Sequence, residues 1–292
     1  MEHLGFVVAG AVLALLVEPL LYYRLLGSRG IGEARLWGRL LMLASLAAVS
    51  AYSVGVGSLD LDGIIAAAPL LLLVQMAIAR LYDRRTVAIG VLETPRGERV
   101  VFHVIDSGRA SAFTLAAGGR VYASSALVRL LSPEEVAAVI AHENGHARSL
   151  SPVPAWVAVL ALIGGLSGAL QGVVDSILSG DVIGALLGFA VAASAWIGFN
   201  WAWEHLADTY SLEDAGLAAV TALARITGAS PTKPSPRLLV AEAASSLRPR
   251  LSSGLLVNPH PPPQVRLWLL LRLMKGPGRG GVGGAELQGA GA

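Results

Sequence analysis

Lysine and arginine are absent from two long windows of this chain, residues 40–79 and 149–224, although the sequence contains 22 of them in 292 residues. Only 14% of the residues are charged, against about 25% in an ordinary soluble domain, and 54% are hydrophobic. Five apolar stretches contain most of the hydrophobic excess. Each is close to the ~20 residues that a helix needs to cross about 30 Å of hydrocarbon. They cover residues 4–23, 40–57, 61–79, 153–174 and 182–203. The sequence therefore predicts a mainly α membrane protein with about five transmembrane helices in contact with a lipid bilayer.

The charged residues between the spans predict their orientation, because lysine and arginine concentrate in cytoplasmic loops. The loops at 58–60 and 175–181 contain aspartate but no lysine or arginine, so they are predicted to lie outside. Seven arginines lie between the first two spans and directly after the third: Arg24, Arg29, Arg35, Arg39, Arg80, Arg84 and Arg85. We therefore expect a multi-pass protein of the cell membrane with its N-terminus outside. A formal net charge of +2 gives no indication of a nucleic-acid partner.

This topology divides the chain into five parts. Residues 1–79 are predicted to form three transmembrane helices, and residues 153–203 a transmembrane hairpin. Residues 80–152 and 204–275 then meet in the cytoplasm as two halves of one domain. Residues 276–292 consist mostly of glycine and alanine, which predicts a disordered tail.

The first cytoplasmic half contains strand signals followed by a helix start. Short β-branched and apolar runs separated by turn signals predict strands at 86–91, 99–105 and 120–123. Ser132 is a candidate N-cap, Pro133 occupies the first helical position and Glu135 completes a capping box. The pattern therefore predicts a small β-sheet and then a helix over about 133–149.

That helix contains the sequence His142-Glu143-Asn144-Gly145-His146, an H-E-x-x-H motif. Histidines four residues apart share a helical face, so both imidazoles can bind one zinc ion. Zinc lowers the pKa of a bound water to about 7, and Glu143 is placed to take its proton during attack on a carbonyl. With 6 histidines and 12 glutamates in the chain, roughly 0.005 such matches are expected by chance. Gly145 inside the helix predicts close packing there.

A catalytic zinc ion needs a third protein ligand, and the chain has no cysteine. Glu204 directly follows the last apolar stretch, and Asp208 is four residues further on. If the helix continues, the two share a face, so Glu204 can be the third ligand and Asp208 can accept a hydrogen bond from a ligating imidazole. His205 is the alternative ligand, but it points about 100° away from Glu204 on a helix.

Three motifs in order resemble the HtpX-type membrane zinc metalloproteases, a family related to the CAAX prenyl proteases. The first is a strand-rich stretch through Ser111-Ala112-Phe113 and Val121-Tyr122-Ala123, which leads into Leu131-Ser132-Pro133-Glu134-Glu135 and the H-E-x-x-H helix. The second is Glu204-x-x-x-Asp208, directly after the predicted transmembrane hairpin. The third is His260-Pro261-Pro262 with Arg266 after it. The resemblance covers roughly residues 85–275 and implies a gluzincin-like cytoplasmic catalytic domain.

The resemblance also implies roles for individual residues. One Zn²⁺ per chain would be held by His142, His146 and Glu204, with Glu143 as the general base and Asp208 orienting a ligand. His260 and Arg266 would be an active-site pair near the substrate, with His260 stabilising the oxyanion. From the residues alone, His260 is an ordinary loop histidine in a proline-rich turn.

A substrate-binding strand is also implied. Ser111 stands where the family often has an asparagine that helps to position the substrate, which is a departure from the family's pattern. Together with Ala112, Val121 and Tyr122, it is a candidate for substrate binding, and the strand at 120–123 is predicted to be an edge that pairs with an extended peptide.

The main hypothesis is an integral membrane zinc endopeptidase that cleaves misfolded or membrane-associated proteins at the cytoplasmic face. The quality-control role comes from the resemblance alone. The alternatives are a CAAX-type prenyl-peptide processing protease, an intramembrane protease of the site-two type, and a zinc-binding membrane scaffold without turnover. Charged residues flank the H-E-x-x-H motif, which argues against a site inside a span.

Overall fold

The computed structural model describes residues 30–57, 61–93, 99–115, 120–149, 155–235, 237–239, 241 and 260–275. In these residues the chain is mostly helical, with one small mixed sheet. The predicted first span at 4–23 and the predicted tail at 276–292 lie outside the described residues.

Along the described chain, two helices are followed by four strands and then by six helices. The helices are α1 (Ile31–Gly55), α2 (Leu61–Asp83), α3 (Ser125–Leu130), α4 (Pro133–Arg148), α5 (Ala155–Leu178), α6 (Val182–Ala215), α7 (Leu217–Thr227) and α8 (Pro263–Met274). The strands are β1 (Thr86–Glu93), β2 (Arg99–Ile105), β3 (Ala112–Leu115) and β4 (Arg120–Ser124). The predicted third span therefore coincides with helix α2.

Three helices, α1, α5 and α6, are long and apolar enough to cross a membrane by length and composition. They pack against one another, with small side chains such as Ala169 and Ala192 buried between them. Their outward sides carry exposed apolar residues, among them Leu43, Ile163 and Leu178, the last of which is 81% exposed. Apolar surface of this extent is typical of a face that contacts lipid or a partner.

Helix α1 begins at Ile31, earlier than the predicted start of the second span at residue 40. Arg35 and Arg39, which the sequence placed in a loop, therefore lie inside the helix. Arg35 Nε donates to Thr209 Oγ1 at 3.0 Å, and Arg39 Nε donates to the carbonyl oxygen of Ser149 at 2.9 Å. These hydrogen bonds satisfy the two guanidinium groups and tie α1 to α6 and to the end of α4.

Helix α6 continues well past the predicted end of the hairpin at residue 203. Its 34 residues correspond to about 51 Å at helical rise, whereas crossing the hydrocarbon needs about 30 Å. The last turns of α6, which carry Glu204 and Asp208, are therefore a rigid extension of an apolar helix.

The sheet has the order β1-β2-β4-β3, in which β2 and β4 are parallel and the other pairs are antiparallel. Strand β4 has partners on both sides, so the prediction that residues 120–123 form an edge is wrong. Pairing β4 beside β2 buries Val121 and Tyr122 fully. Strand β3, which the strand pattern did not predict, pairs with the other side of β4 and has no further strand partner among the described residues.

Helix α4 begins as the sequence predicts. Ser132 Oγ accepts a hydrogen bond from the Glu135 amide, and the Ser132 amide donates to the Glu135 carboxylate at 2.9 Å. The predicted capping box is therefore confirmed. One side of α4 packs on the sheet through Val136 and Ile140, and another packs on α6.

Candidate metal centre

His142 and His146 on α4 face Glu204 on α6. One ligand atom from each of the three residues lies within 4.8 Å of the other two. His142 Nε2 is 3.5 Å from Glu204 Oε2, and His146 Nε2 is 3.4 Å from Glu204 Oε1. The structure thus brings together the three residues that the sequence nominated as metal ligands.

These three residues fit a zinc ion. Zinc bonds of 2.0–2.2 Å at tetrahedral angles place neighbouring ligand atoms about 3.3–3.6 Å apart, which both histidine–glutamate distances match. Glu204 Oε2 is buried and accepts no aligned hydrogen bond from the described residues, although Arg266 Nη1 is 3.1 Å away. A buried carboxylate oxygen in this position is costly without a partner, and a cation between the imidazoles would provide one.

Asp208 lies behind His142, on the side away from Glu204. His142 Nδ1 donates to Asp208 Oδ1 at 3.0 Å, which leaves Nε2 as the imidazole atom that faces Glu204. Arg266 on α8 holds the same carboxylate from the other side: Nε donates to Oδ2 at 2.8 Å and Nη2 to Oδ1 at 2.6 Å. This bidentate pair fixes Asp208, and Asp208 in turn fixes the ring of His142.

The charges of the centre favour a cation. Glu204, Asp208 and Arg266 are all buried, and together they carry one more negative than positive charge. Burial disfavours the charged imidazole of His142, but the carboxylates of Asp208 and Glu204 outweigh this and raise the pKa of His142 to about 10. The two carboxylates therefore favour a positive charge at the position of His142.

His205, the alternative third ligand, lies apart from this cluster. It is buried on another face of α6, beside Ala34 and Leu273, with Nδ1 3.7 Å from Asp208 Oδ2. Adjacent helical positions point about 100° apart, and here Glu204 faces the imidazoles while His205 does not. Among the described residues, the metal-ligating group contains Glu204 and not His205.

His260 reaches the centre from the segment before α8. Its Nδ1 is 2.9 Å from Glu204 Oε1, and its side chain is about half exposed to the cleft. Arg266, by contrast, is buried, and it pairs with two carboxylates of the centre, Glu204 and Asp208. Both members of the predicted pair therefore line the cleft, but His260 is half exposed there, whereas Arg266 is buried against the carboxylates.

A cleft of about 880 Å³ opens over the metal centre. Glu143 lines it, and so do Ser111 and Ala112 from the free edge of the sheet. Val121 and Tyr122 are not among the residues that line the cleft, because β4 lies inside the sheet. The cleft therefore contains the candidate base and the first two substrate-binding candidates, but not the other two.

Two contacts that the sequence did not suggest hold α4 in place. Thr114 Oγ1 on β3 donates to the carbonyl oxygen of Glu143 at 2.9 Å, and Trp203 Nε1 donates to the carbonyl oxygen of His146 at 3.1 Å. The ring of Trp203 also lies edge-on to His146, with centroids 5.0 Å apart. A tryptophan at the end of an apolar stretch gives no signal of such a role in the sequence.

A histidine pair on one helix opposed by a glutamate from a second helix is the arrangement of a metal-dependent peptidase. The comparison with family models agrees: Peptidase family M48 matches residues 40–273, far more than half of the chain. The chain therefore belongs to Peptidase family M48 and is a metallopeptidase. Neither the search of curated proteins nor the search of solved structures found a match.

Gly145 allows α4 and α6 to approach closely, as the sequence predicted. A Cβ atom at this position would lie 2.9 Å from Ala207 Cα and 3.1 Å from Tyr210 Cβ. We expect Gly145→Ala to force the helices apart at a cost of roughly 1–3 kcal/mol, which exceeds the helix-propensity gain of at most about 1 kcal/mol. The expected result is a lower midpoint of thermal unfolding in detergent and weaker zinc binding.

The matched control is Gly32→Ala, because Gly32 is also helical but an added Cβ there meets open space. We expect this variant to be at least as stable as the parent. Equal unfolding midpoints and zinc affinities for Gly145→Ala and the parent would show that the helix contact does not position the ligands.

Proposed function

We propose that this chain is a zinc-dependent endopeptidase of the HtpX type that cleaves misfolded or membrane-associated proteins at the membrane surface. The observation that carries the proposal is the convergence of His142, His146 and Glu204 in a cleft that Glu143 also lines. The family supports peptide hydrolysis. The site residues, the zinc and the class of substrate are our assignments.

Zinc held by the two histidines and Glu204 would act as a Lewis acid and make water nucleophilic at neutral pH. Glu143 would accept a proton from the attacking water and deliver it to the leaving amine. Asp208 would keep the Nε2 atom of His142 directed toward Glu204. Each role uses an atom that already faces the cleft or the ligand cluster.

His260 and Arg266 would serve different purposes. His260 is half exposed in the cleft, so it can donate a hydrogen bond to the carbonyl oxygen of the substrate as negative charge develops there. Arg266 is buried against Asp208 and Glu204, so we assign it a positioning role in place of substrate contact. This refines the expectation that both residues form one pair near the substrate.

We assign the docking of an extended substrate to β3. Its outer edge has no strand partner among the described residues, and Ala112 and Thr114 on it line the cleft. A peptide that pairs with this edge would satisfy its backbone groups and pass beside Glu143. Unfolded segments can adopt this extended conformation, whereas folded domains cannot, which supports misfolded proteins as the substrate class.

The membrane location is supported by α1, α5 and α6, which are long and apolar enough to cross a bilayer. The predicted spans at 4–23 and 61–79 would bring the number to five. Arginines beside the spans support a cytoplasmic catalytic domain, with residues 80–152 and 204–275 on that side. Helix α6 then joins a proposed membrane span to Glu204 without a break, which supports a position of the cleft near the bilayer surface.

The test is cleavage of an unfolded reporter segment tethered to a membrane anchor, with the protein and reporter in the same proteoliposomes. We expect cleavage by the parent, loss of cleavage after treatment with a zinc chelator, and recovery when zinc is returned. A soluble, folded reporter of the same composition is the control and should stay intact. Zinc binding without cleavage of either reporter would support a scaffold and contradict the proposal.

A further inference from the structure

A second cleft, of about 520 Å³, lies at the end of the sheet where β2 and β4 begin. Cationic and polar side chains line much of it: Arg99, His103, Arg120, Asn144 and Arg148. Asn144 and Arg148 share a face of α4 that lies about 200° around the helix from His142 and His146. This basic cleft is therefore separate from the metal centre, although both use the same helix.

Positive charge exceeds negative charge in the basic cleft. Arg120 forms an ion pair with Asp83, and Arg148 Nη1 lies 4.0 Å from Asp214. Arg99 is exposed and forms no ion pair with any residue that the structure describes. Glu93 is the cross-strand neighbour of Arg99, but the residues that line the cleft include three guanidinium groups and no carboxylate. The planar guanidinium is the side-chain group best suited to bind phosphate.

The outward face of the sheet beside the basic cleft is apolar. Val87, Ile89 and Val91 on β1 are 59–64% exposed, and Val101, which pairs with Val91 from β2, is 49% exposed. On a sheet with one solvated face, these outward positions are normally polar. Exposed aliphatic side chains next to arginines are typical of a surface that rests in the headgroup region of a bilayer.

The basic cleft lies close in sequence to apolar helices, which agrees with a position in the headgroup region. Arg148 is the last residue of α4, and the apolar helix α5 begins shortly afterwards at Ala155. Asp83, the partner of Arg120, is the last residue of α2, the predicted third span. One residue that lines the cleft, Arg148, therefore lies shortly before an apolar helix, and the ion-pair partner of another, Arg120, lies at the end of an apolar helix.

We propose that the basic cleft binds the phosphate of an anionic phospholipid headgroup, while the valines and isoleucine of β1 and β2 contact the lipid surface. Arg99 supplies an exposed guanidinium that forms no ion pair with the described residues, with Arg120 and Arg148 beside it. Occupation of the cleft would fix the sheet, and with it the edge of β3, at a set height above the bilayer. This inference rests on the proposed membrane location but not on zinc or on proteolysis.

The test uses the purified full chain in a nonionic detergent, with short-chain phosphatidylglycerol as the probe and native mass spectrometry as the readout. We expect saturable binding by the parent and about fivefold weaker binding by Arg99→Gln. Arg99→Lys retains the charge and should recover part of the affinity. Arg237→Gln is the matched control, because Arg237 is also exposed but lies far from the cleft in sequence, and it should bind like the parent.

Two further probes separate the possible ligands. Short-chain phosphatidylcholine should bind more weakly than phosphatidylglycerol, and inorganic phosphate should compete poorly. Equal binding of both lipids, equal binding by Arg99→Gln and the parent, or full competition by inorganic phosphate would each overturn the proposal. Zinc content and reporter cleavage are measured on the same samples, so a failed lipid test with cleavage intact leaves the proposed function standing.

Discussion

We expect the Glu143→Gln variant to bind zinc as the parent does but to cleave the tethered unfolded reporter at least about 100-fold more slowly. General base catalysis contributes about 10²–10⁴-fold to rate, and an amide cannot accept the proton that a carboxylate accepts. Glu143 lines the cleft beside the ligand cluster but is not itself one of the three ligands. Its replacement should therefore separate metal binding from turnover. The rate is measured in proteoliposomes, and the zinc content by elemental analysis.

The matched control for this prediction is Glu134→Gln, the same substitution in the first turn of the same helix. Glu134 is exposed, contacts Ser132 at the N-cap, does not line the cleft, and precedes Glu143 by about two and a half helical turns. We expect the control to cleave at nearly the parental rate. Cleavage by Glu143→Gln at the parental rate would exclude Glu143 as the base.

The second large effect is expected for Glu204→Gln, which should lower zinc affinity by more than about 100-fold. Loss of a residue that forms a hydrogen bond to a metal ligand typically lowers metal affinity about 10–100-fold, and loss of a ligand itself is expected to lower it further. Glutamine keeps the shape of the side chain but removes the negative charge that faces His142, His146 and His260. Competition with a coloured zinc chelator gives the affinity.

Glu213→Gln provides the control for the ligand variant, because Glu213 is on the same helix and pairs with Arg35, away from the cluster. We expect parental zinc affinity for it, with at most a small change in stability, as for other surface ion pairs. If Glu204→Gln retained parental affinity, the third ligand would have to be another residue, and the account of the centre would be wrong.

The parts of the fold that local rules govern could be predicted from the sequence. The capping box of Ser132 and Glu135 and the histidine spacing of His142 and His146 depend on contacts within one or two helical turns. The periodicity of α6 likewise put Glu204 and Asp208 on one face. These features determine which candidate ligands share a face of each helix, because a continuous helix leaves little freedom in where its side chains point.

The sheet order could not be predicted in the same way. Strand β3 has only four residues, and β4 inserts between β2 and β3, so the edge depends on pairing between distant segments. For that reason the predicted peptide-binding edge fell on residues 120–123, which the structure places between β2 and β3. A short strand carries too few alternations of apolar and polar residues to reveal its neighbours.

The start of α1 also depends on residues that are distant in the sequence. Arg35 and Arg39 read as loop residues because charge normally lies outside an apolar span. In the structure they reach Thr209 and Ser149, which are more than a hundred residues away, and this allows the helix to start earlier. The role of Trp203 also depends on a distant partner, because its hydrogen bond to the carbonyl oxygen of His146 joins α6 to α4.

The most direct test of the metal centre is zinc K-edge X-ray absorption on the purified parent chain, with the zinc content of the same sample. We predict one zinc ion per chain, in a four-coordinate nitrogen and oxygen shell at about 2.0–2.2 Å with the outer scattering of two imidazoles. A chain without bound zinc would contradict the account. So would a six-coordinate oxygen shell without imidazole, since His142, His146 and Glu204 could not then hold the metal.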